Sequence, residues 1–460
     1  MSNHPKFAVV GHPNKGKSSI VASLALDDSI AISDTPGTTT KYRSFPLTVD
    51  GKVLYELFDT PGFQRARKIM QWLKSAGELS ALQRVQRLKE FVREFENDPK
   101  FNDDIELLKP ILDGAGIIYI VDASKPYGSE YEIQMQILSY TGQPSMAILN
   151  HIGDEDYSDE WKEVLHHYFK MVRTYNPMSA TLQEHISILE SIAQLKEEWT
   201  PSIKESIEAF REFHKSNIHK SADAITAYIK DALSFTLKLK ASSVTKEEAI
   251  AKYQDKLRDK EKELYSKLEQ IWQHNHLQKD SSLLEFEGID LFSDQSVSLF
   301  GLSQKDIVLM GMGSGALTGA SIDVLTVGHT LLLGGAIGAV VGGVGAYLGF
   351  DKLASTKVLG KNLADEYIEV GVSKNKNFPY IILSRAIYYA SLLKNLSHAK
   401  RDTIHINIDE SFTNRWLNES NKKVFEKLHQ AIQKQKTITP EIEQDYTDGI
   451  CEVVEKLHFI

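Results

Sequence analysis

Eight residues near the start of the chain, Gly11-His12-Pro13-Asn14-Lys15-Gly16-Lys17-Ser18, fit the spacing GxxxxGK[ST]. They follow the apolar run Phe7-Ala8-Val9-Val10 and open a helix-compatible stretch, so the motif stands between a strand and a helix. These residue types suit one task. Glycines let the backbone turn its N–H groups inward around an anion, and the N-terminus of the following helix adds a positive dipole end. Lys17 has the reach to neutralise outer phosphates, and the Ser18 hydroxyl is a hard oxygen donor for Mg²⁺. The spacing therefore predicts a nucleoside triphosphate site whose cradle is Asn14, Lys15, Gly16, Lys17, Ser18 and Ser19.

Such a cradle needs partners from the ends of neighbouring strands. Phe45 to Phe58 reads as two β-rich runs joined by Val49-Asp50-Gly51-Lys52, a hairpin signal. The second run ends in Asp59-Thr60-Pro61-Gly62. Asp59 can hold Mg²⁺ through water, and Gly62 allows a backbone N–H to approach the terminal phosphate. Ahead of the hairpin, Asp34 to Thr40 is a hydroxyl-rich loop able to close on the metal. Further strands are predicted at Gly116–Val121, Ser145–Leu149 and Met171–Tyr175.

In this order the segments GHPNKGKS, PGTT (Pro36 to Thr39) and DTPG (Asp59 to Gly62) resemble the Era/TrmE group of bacterial GTPases, over roughly the first 185 residues. The resemblance implies GTP and GDP as ligands and a Ras-like P-loop domain, an α/β fold with a doubly wound, mostly parallel sheet. It implies Ser18 and Thr39 as Mg²⁺ ligands, Asp59 as a ligand through water, and Lys17, Thr39 and Gly62 as the catalytic set. It also implies K⁺ beside Asn14, which matches the asparagine of the cation-dependent members. Asn150, Asp154, Ser179 and Ala180 stand where the base would be read. The family's NKxD motif is here Asn150-His151-Ile152-Gly153-Asp154, with histidine for lysine and the carboxylate one residue late. Phe63, not glutamine, follows Gly62, and a phenyl ring cannot orient water; Gln64 comes one residue later. Slow hydrolysis, raised by K⁺, by an activating protein or by self-association, is the expectation.

The elements around this site divide the chain. We expect a GTPase domain at 1–187, with a helical insertion at about 64–110, a helical region at 188–299, a Gly-rich apolar segment at 300–351 and a helical region at 352–460. Within the insertion Leu82, Val85, Leu88, Val92 and Phe95 have helical spacing. From Gln64 to Glu94 eight basic residues face three acidic ones in a protein of net charge −9, a local excess that could meet RNA or anionic lipid, or be a solvated face. Thr200-Pro201 predicts a capped helix start with Ile203, Ile207, Phe210 and Phe213 on one face. Thr245 to Glu248 has capping-box spacing before the stripe Ile250, Tyr253, Leu257, Leu264, Leu268 and Ile271, read as half of an antiparallel pair or of a coiled coil.

From Ile307 to Phe350 the only charge is Asp323, and 12 of the 28 glycines fall there. The 27 uncharged residues Val324 to Phe350 are long enough to cross a bilayer, and Gly338, Gly342, Gly345 and Gly349 supply GxxxG spacings. A hairpin entering a membrane is one reading; two buried helices packed through glycine are the other. His398 and His405 lack metal-ligand spacing, and no Ser/His/Asp or Cys/His arrangement stands out. A single cysteine, Cys451, and the lack of an apolar leader fit a cytoplasmic protein, with association to the inner membrane face as the further expectation. The whole organisation resembles a bacterial family that joins an Era-type GTPase domain to a C-terminal domain of unknown function. The expected function is a slow, activatable GTP switch; an RNA-acting GTPase, for which no RNA-binding motif is present, and a nucleotide-binding scaffold are the alternatives.

Overall fold

The computed structural model describes residues 4–12, 15–25, 41–49, 51–240, 242–274, 289–302, 354–355, 367–373, 375–396 and 411–457. The chain divides into two units, one of residues 1–214 with 395–401, the other of 215–394 with 402–460.

The first unit runs β1 (Lys6–Gly11), α1 (Lys17–Ala25), β2 (Arg43–Val49), β3 (Lys52–Asp59), α2 (Ala66–Lys74), α3 (Ala81–Phe95), α4 (Asn102–Leu112), β4 (Gly116–Asp122), α5 (Ser129–Ser139), β5 (Ser145–Asn150), α6 (Ser158–Leu165), β6 (Met171–Thr174) and α7 (Leu182–Ala193), with the strands and α3 where the sequence pattern places them. Six strands form one sheet in the order β2-β3-β1-β4-β5-β6. Only the β2–β3 hairpin is antiparallel; every other neighbour is parallel. β4 is buried along its whole length, so its residues are apolar on both faces and serve two cores. Ile117, Tyr119 and Val121 pack with α2 to α6, whereas Ile118 and Ile120 pack with α1 and α7. This is the doubly wound α/β architecture, with ligand chemistry due at the carboxyl ends of the strands where the order reverses. Those ends are Gly11, Asp59, Asp122 and Asn150.

The segment expected to be a helical insertion, about 64–110, forms α2, α3 and most of α4. Ser80 and Gln83 close a capping box at the start of α3. The buried stripe is displaced from the expected one: Leu88 and Phe91 are buried while Leu82 is 85% exposed. The first turn of α3 overhangs the core, and burial centres on the aromatic cluster of Trp72, Phe91, Phe95 and Phe101. Arg87 lies 3.4 Å from the centre of the Trp72 ring and pairs with Glu90, and Arg84 lies over Tyr140. These two arginines are therefore committed within the fold.

A 35-residue helix, α8 (Thr200–Ser234), leads out of the first unit. Ile203, Ile207 and Phe210 are buried as expected and Phe213 is half-buried, but Thr200 is not the cap. A single 3-10 turn, Glu197–Trp199, precedes it, Thr200 is already helical at φ −53 and ψ −45, and its hydroxyl donates to the Ala193 carbonyl at 3.0 Å.

The second unit is mostly helical. After β7 (Leu237–Lys240) come α9 (Lys246–Ile271), α10 (Asp294–Phe300), β8 (Ala354–Ser355), β9 (Tyr367–Val370), α11 (Phe378–Asn395), α12 (Thr413–Trp416), α13 (Glu419–Gln433) and α14 (Pro440–Lys456). Thr245 and Glu248 form the capping box of α9, and Tyr253, Leu257, Leu264 and Leu268 are buried. Lys260 pairs with Asp231, and Trp272 donates to Ser221, so α9 runs back antiparallel along the later turns of α8. β7, β9 and β8 make a small antiparallel sheet that the sequence reading did not foresee. α11 is buried on nearly every side. The Gly-rich segment 307–350, His398 and His405 lie outside the described residues. Among the described residues no helix is long and apolar enough to cross a membrane.

Candidate nucleotide site

The turn between β1 and α1 is built around backbone that side chains would block. Gly11 has φ +153, and a Cβ there would stand 2.4 Å from the Ile120 carbonyl oxygen. Gly16 has φ +81, and a Cβ there would stand 2.3 Å from Asn150 Nδ2. The first helical hydrogen bond runs from Ile20 N to Gly16 O, which leaves the amides of Lys17, Ser18 and Ser19 as the open donors of the first turn. Open helical amides at a strand–helix turn are a ready anion receptor.

Lys17 is buried, and its Nζ donates to the His12 carbonyl at 3.2 Å. Burial lowers its pKa to about 8, while the charge of Asp59 pulls in the opposite direction. The Ser18 hydroxyl donates to Asp59 Oδ2 at 2.8 Å, and Asp59 is only 3% exposed. A hydroxyl that can ligate a hard cation, in the first turn of α1, thus converges with a carboxylate at the end of β3 that can hold the same cation through water. Thr60 fixes that convergence by donating to the Val9 carbonyl at 2.7 Å. Gly62 is buried just beyond, and Phe63 is 4% exposed within the hydrophobic core, so that position offers nothing to hold water. The Gln64 side chain is exposed. Asn14 and Thr39 lie outside the described residues.

The far side of the cradle is set by β4 and β5. Asn150 is 3% exposed and donates through Nδ2 to the Lys15 carbonyl at 3.1 Å, tying the end of β5 to the phosphate turn. Lys15 Nζ reaches Asp122 Oδ2 at 3.4 Å, a pair the sequence reading missed. Burial pushes the Asp122 carboxyl up, but the hydroxyl and N–H of Ser124 together with Lys15 hold it below the usual range. The available signal was an aspartate at a strand end followed two residues later by serine, a local Asx arrangement. His151, standing where the family has lysine, contacts Asp156 at 3.0 Å and Ser158 at 3.1 Å. Asp156 is held well below the ordinary carboxylate range by the Ser158 hydroxyl and by His151. Asp154 is exposed, as is Ser179, while Ala180 packs against the core ahead of the Thr181–Glu184 capping box of α7.

Two families match this chain in succession. Residues 6–151 match the family described as a 50S ribosome-binding GTPase, and residues 162–453 match a domain of unknown function, DUF3482. The chain belongs to the DUF3482 family. Its first unit is a P-loop GTPase domain with Era- and Der-like relatives. GTPase Der of Caldanaerobacter subterraneus subsp. tengcongensis is 39% identical over 82 residues, 18% of this DUF3482 chain and 18% of the relative. GTPase Der of Aromatoleum aromaticum is 29% identical over 121 residues, 26% of this chain and 27% of the relative. The chain thus spans a minor part of the length of these relatives. A crystal structure of an Aquifex aeolicus Era variant bound to GDP·AlF4⁻ is 15% identical over 41% of this chain and 56% of that one, with a TM-score of 0.28, too slight a likeness to carry an argument.

Proposed function

We propose that this DUF3482 protein is a molecular switch that binds GTP with Mg²⁺ and hydrolyses it slowly to GDP and phosphate. The observation that carries the reading is the buried convergence of Lys17, Ser18 and Asp59 beneath the open amides of α1, clamped from behind by Asn150. Mg²⁺, when bound by Ser18, Asp59 and Thr39, supplies charge neutralisation at the phosphates. The chain's own residues do the rest. The first-turn amides and Lys17 bind and orient the phosphate tail, and Asp59 keeps Ser18 in place. With Phe63 in the core, no side chain at that position aligns the attacking water, which accounts for slow turnover. K⁺ at Asn14 is the proposed stimulant, on the resemblance of the phosphate turn alone. Guanine selectivity is assigned to Asp154, because the neighbouring carboxylate, Asp156, is engaged by His151 and Ser158.

The test is competition of GTP and ATP for the purified protein, with and without Mg²⁺, repeated with Lys17→Ala. We expect Mg²⁺-dependent preference for GTP and a loss of about tenfold to a hundredfold on removing the lysine, the worth of one charge-assisted contact. Equal affinity for both purines, or binding indifferent to Lys17, refutes the reading. Single-turnover hydrolysis in Na⁺ against K⁺ buffer tests the cation.

The effector is proposed to be the inner membrane face, reached through residues 307–350, on their length and low charge. Flotation with liposomes, comparing the whole chain with one lacking 307–350, decides this. RNA is the second reading, supported by the ribosome in the matched family's description and by Arg67, Lys68, Lys74, Lys89 and Arg93, which remain exposed on α2 and α3. It requires salt-sensitive RNA binding that is weakened by charge reversal at Lys68 and Lys89.

A further inference from the structure

Asp104 stands in the first turn of α4 with no exposed surface, a costly place for a carboxylate. Its partners come from another element. Oδ1 accepts the backbone N–H of Gln64 at 3.0 Å and that of Arg65 at 3.2 Å. Those are the residues that lead from Gly62 into α2, a helix whose own N-cap, Arg65, supplies no side-chain cap. Asp104 therefore anchors the entry to α2 from outside, across some 40 residues of sequence. Two further ties hold the same stretch. Phe63 is buried in the core that contains Ile105 and Leu108 of α4, and Arg65 Nε donates to the Lys100 carbonyl at 2.7 Å. The turn that carries Lys100 is itself fixed by Asp98, which accepts the Lys100 N–H. The three residues following Gly62 are thus fastened to α4 and to the turn before it.

We propose that Asp104 is the positioning residue that sets the Gly62 loop for hydrolysis and couples it to the inserted helices. The proposal rests on the reading of the first unit as a GTPase. Gly62 is the backbone donor assigned to the terminal phosphate, so its placement depends on what anchors the next three residues. A remote group that shifts such a donor changes the rate of the chemical step far more than ground-state binding. Burial lifts the Asp104 carboxyl to about 6, against the pull of the Gln64 and Arg65 amides; Asp103 on the same helix raises it further, and the Arg65 guanidinium from the approach to α2 lowers it. Among the described residues Oδ2 has no hydrogen-bond partner, leaving room on the carboxyl for a proton. Protonation removes the charge that the two amides point at, and the anchor loosens.

The test compares the whole chain with Asp104→Asn, which keeps the shape and removes the charge. At saturating GTP and Mg²⁺ we expect kcat to fall about tenfold, with KM and GDP affinity changed less than about twofold. The wild-type kcat should fall as pH drops through about 6, and the variant should lack that inflection. An unchanged kcat, or the same inflection in both proteins, overturns the proposal. Should the variant fail to fold, amide exchange in the wild type serves instead. Corrected for intrinsic rates, the Gln64 and Arg65 amides should lose protection between pH 7.5 and pH 5 while those of β4 keep theirs; retained protection overturns the proposal. Absence of Mg²⁺-dependent GDP binding in the wild type strikes the GTPase reading and not the anchor.

Discussion

At the scale of single residues, the chemistry of the site turns on how little solvent reaches Lys17. An ammonium packed beneath a turn, with one carbonyl and one carboxylate near it, is held near pKa 8 by burial despite the pull of Asp59. A triphosphate brings negative charge to Nζ and raises that value, so the bound state carries a proton that the free state has begun to lose. Nucleotide affinity should therefore stay level up to about pH 8 and weaken above it, by as much as tenfold per pH unit. Titration of GDP binding from pH 7 to pH 9.5 checks this, and Lys17→Met should be weaker throughout and lack the slope. The same linkage acts on stability with a definite sign. The folded value lies below the unfolded 10.5, so the unfolded chain binds more protons between pH 8 and 10.5, and the empty domain gains up to about 3 kcal/mol across that window. Saturating nucleotide should abolish the gain, because its charge keeps the lysine protonated in the fold.

At the scale of elements, what could be read in advance was what local chemistry dictates. β1, β4 and β5 are short apolar runs that end in Gly11, Asp122 and Asn150, and a strand buried on both faces leaves that signature. The β2–β3 hairpin followed from its Asp-Gly turn, and the start of α9 from Thr245 and Glu248. The phosphate turn was legible because one segment supplies nearly all of it. Asp104 was not, since its role needs Gln64 and Arg65 to arrive from a different helix, and nothing local marks it. The small sheet was hidden for a similar reason: β7 and β9 are four-residue strands whose partners lie far apart in sequence. Thr200 misled because a Thr-Pro pair signals a cap equally well whether or not a 3-10 turn precedes it. The basic insertion shows the same limit, for charge was readable and stacking was not. Arg87, set over Trp72 at 3.4 Å and paired with Glu90, belongs to the packing of α2 on α3. Arg87→Ala should lower the stability of the first unit by about 1–2 kcal/mol, whereas Lys89→Ala on the exposed side should change it by less than about 0.5. Thermal melts of the two variants, with GDP absent, make the comparison; equal melts would return Arg87 to the solvated face.

At the scale of the whole molecule, the apolar core of the second unit holds a buried ion pair whose logic composition does not reveal. Arg385 of α11 is 2% exposed and meets Glu261 of α9 with two hydrogen bonds, 2.6 Å from Nε and 2.9 Å from Nη2, with Ser296 of α10 at 3.2 Å from Nη1. A second contact joins the same two long helices one turn and more along, where the Tyr389 hydroxyl donates to Glu269. Apolar stripes alone allow α9 and α11 to slide by a turn at modest cost; a buried bidentate pair allows one register only. Removing one partner strands a charge in the core, whereas removing both leaves a volume that apolar side chains can fill. Arg385→Met and Glu261→Leu should each cost about 3–5 kcal/mol, and the double variant should recover much of that loss. Urea unfolding followed by tryptophan fluorescence measures it, since Trp272 and Trp416 report from this unit. Performing the titration with and without GDP separates the units, because a ligand that binds only the folded nucleotide domain delays that transition alone. The substitutions should move the transition that ignores GDP. Additive losses in the double variant would mean that the two side chains act independently, and the register would then have to come from the apolar packing of α11.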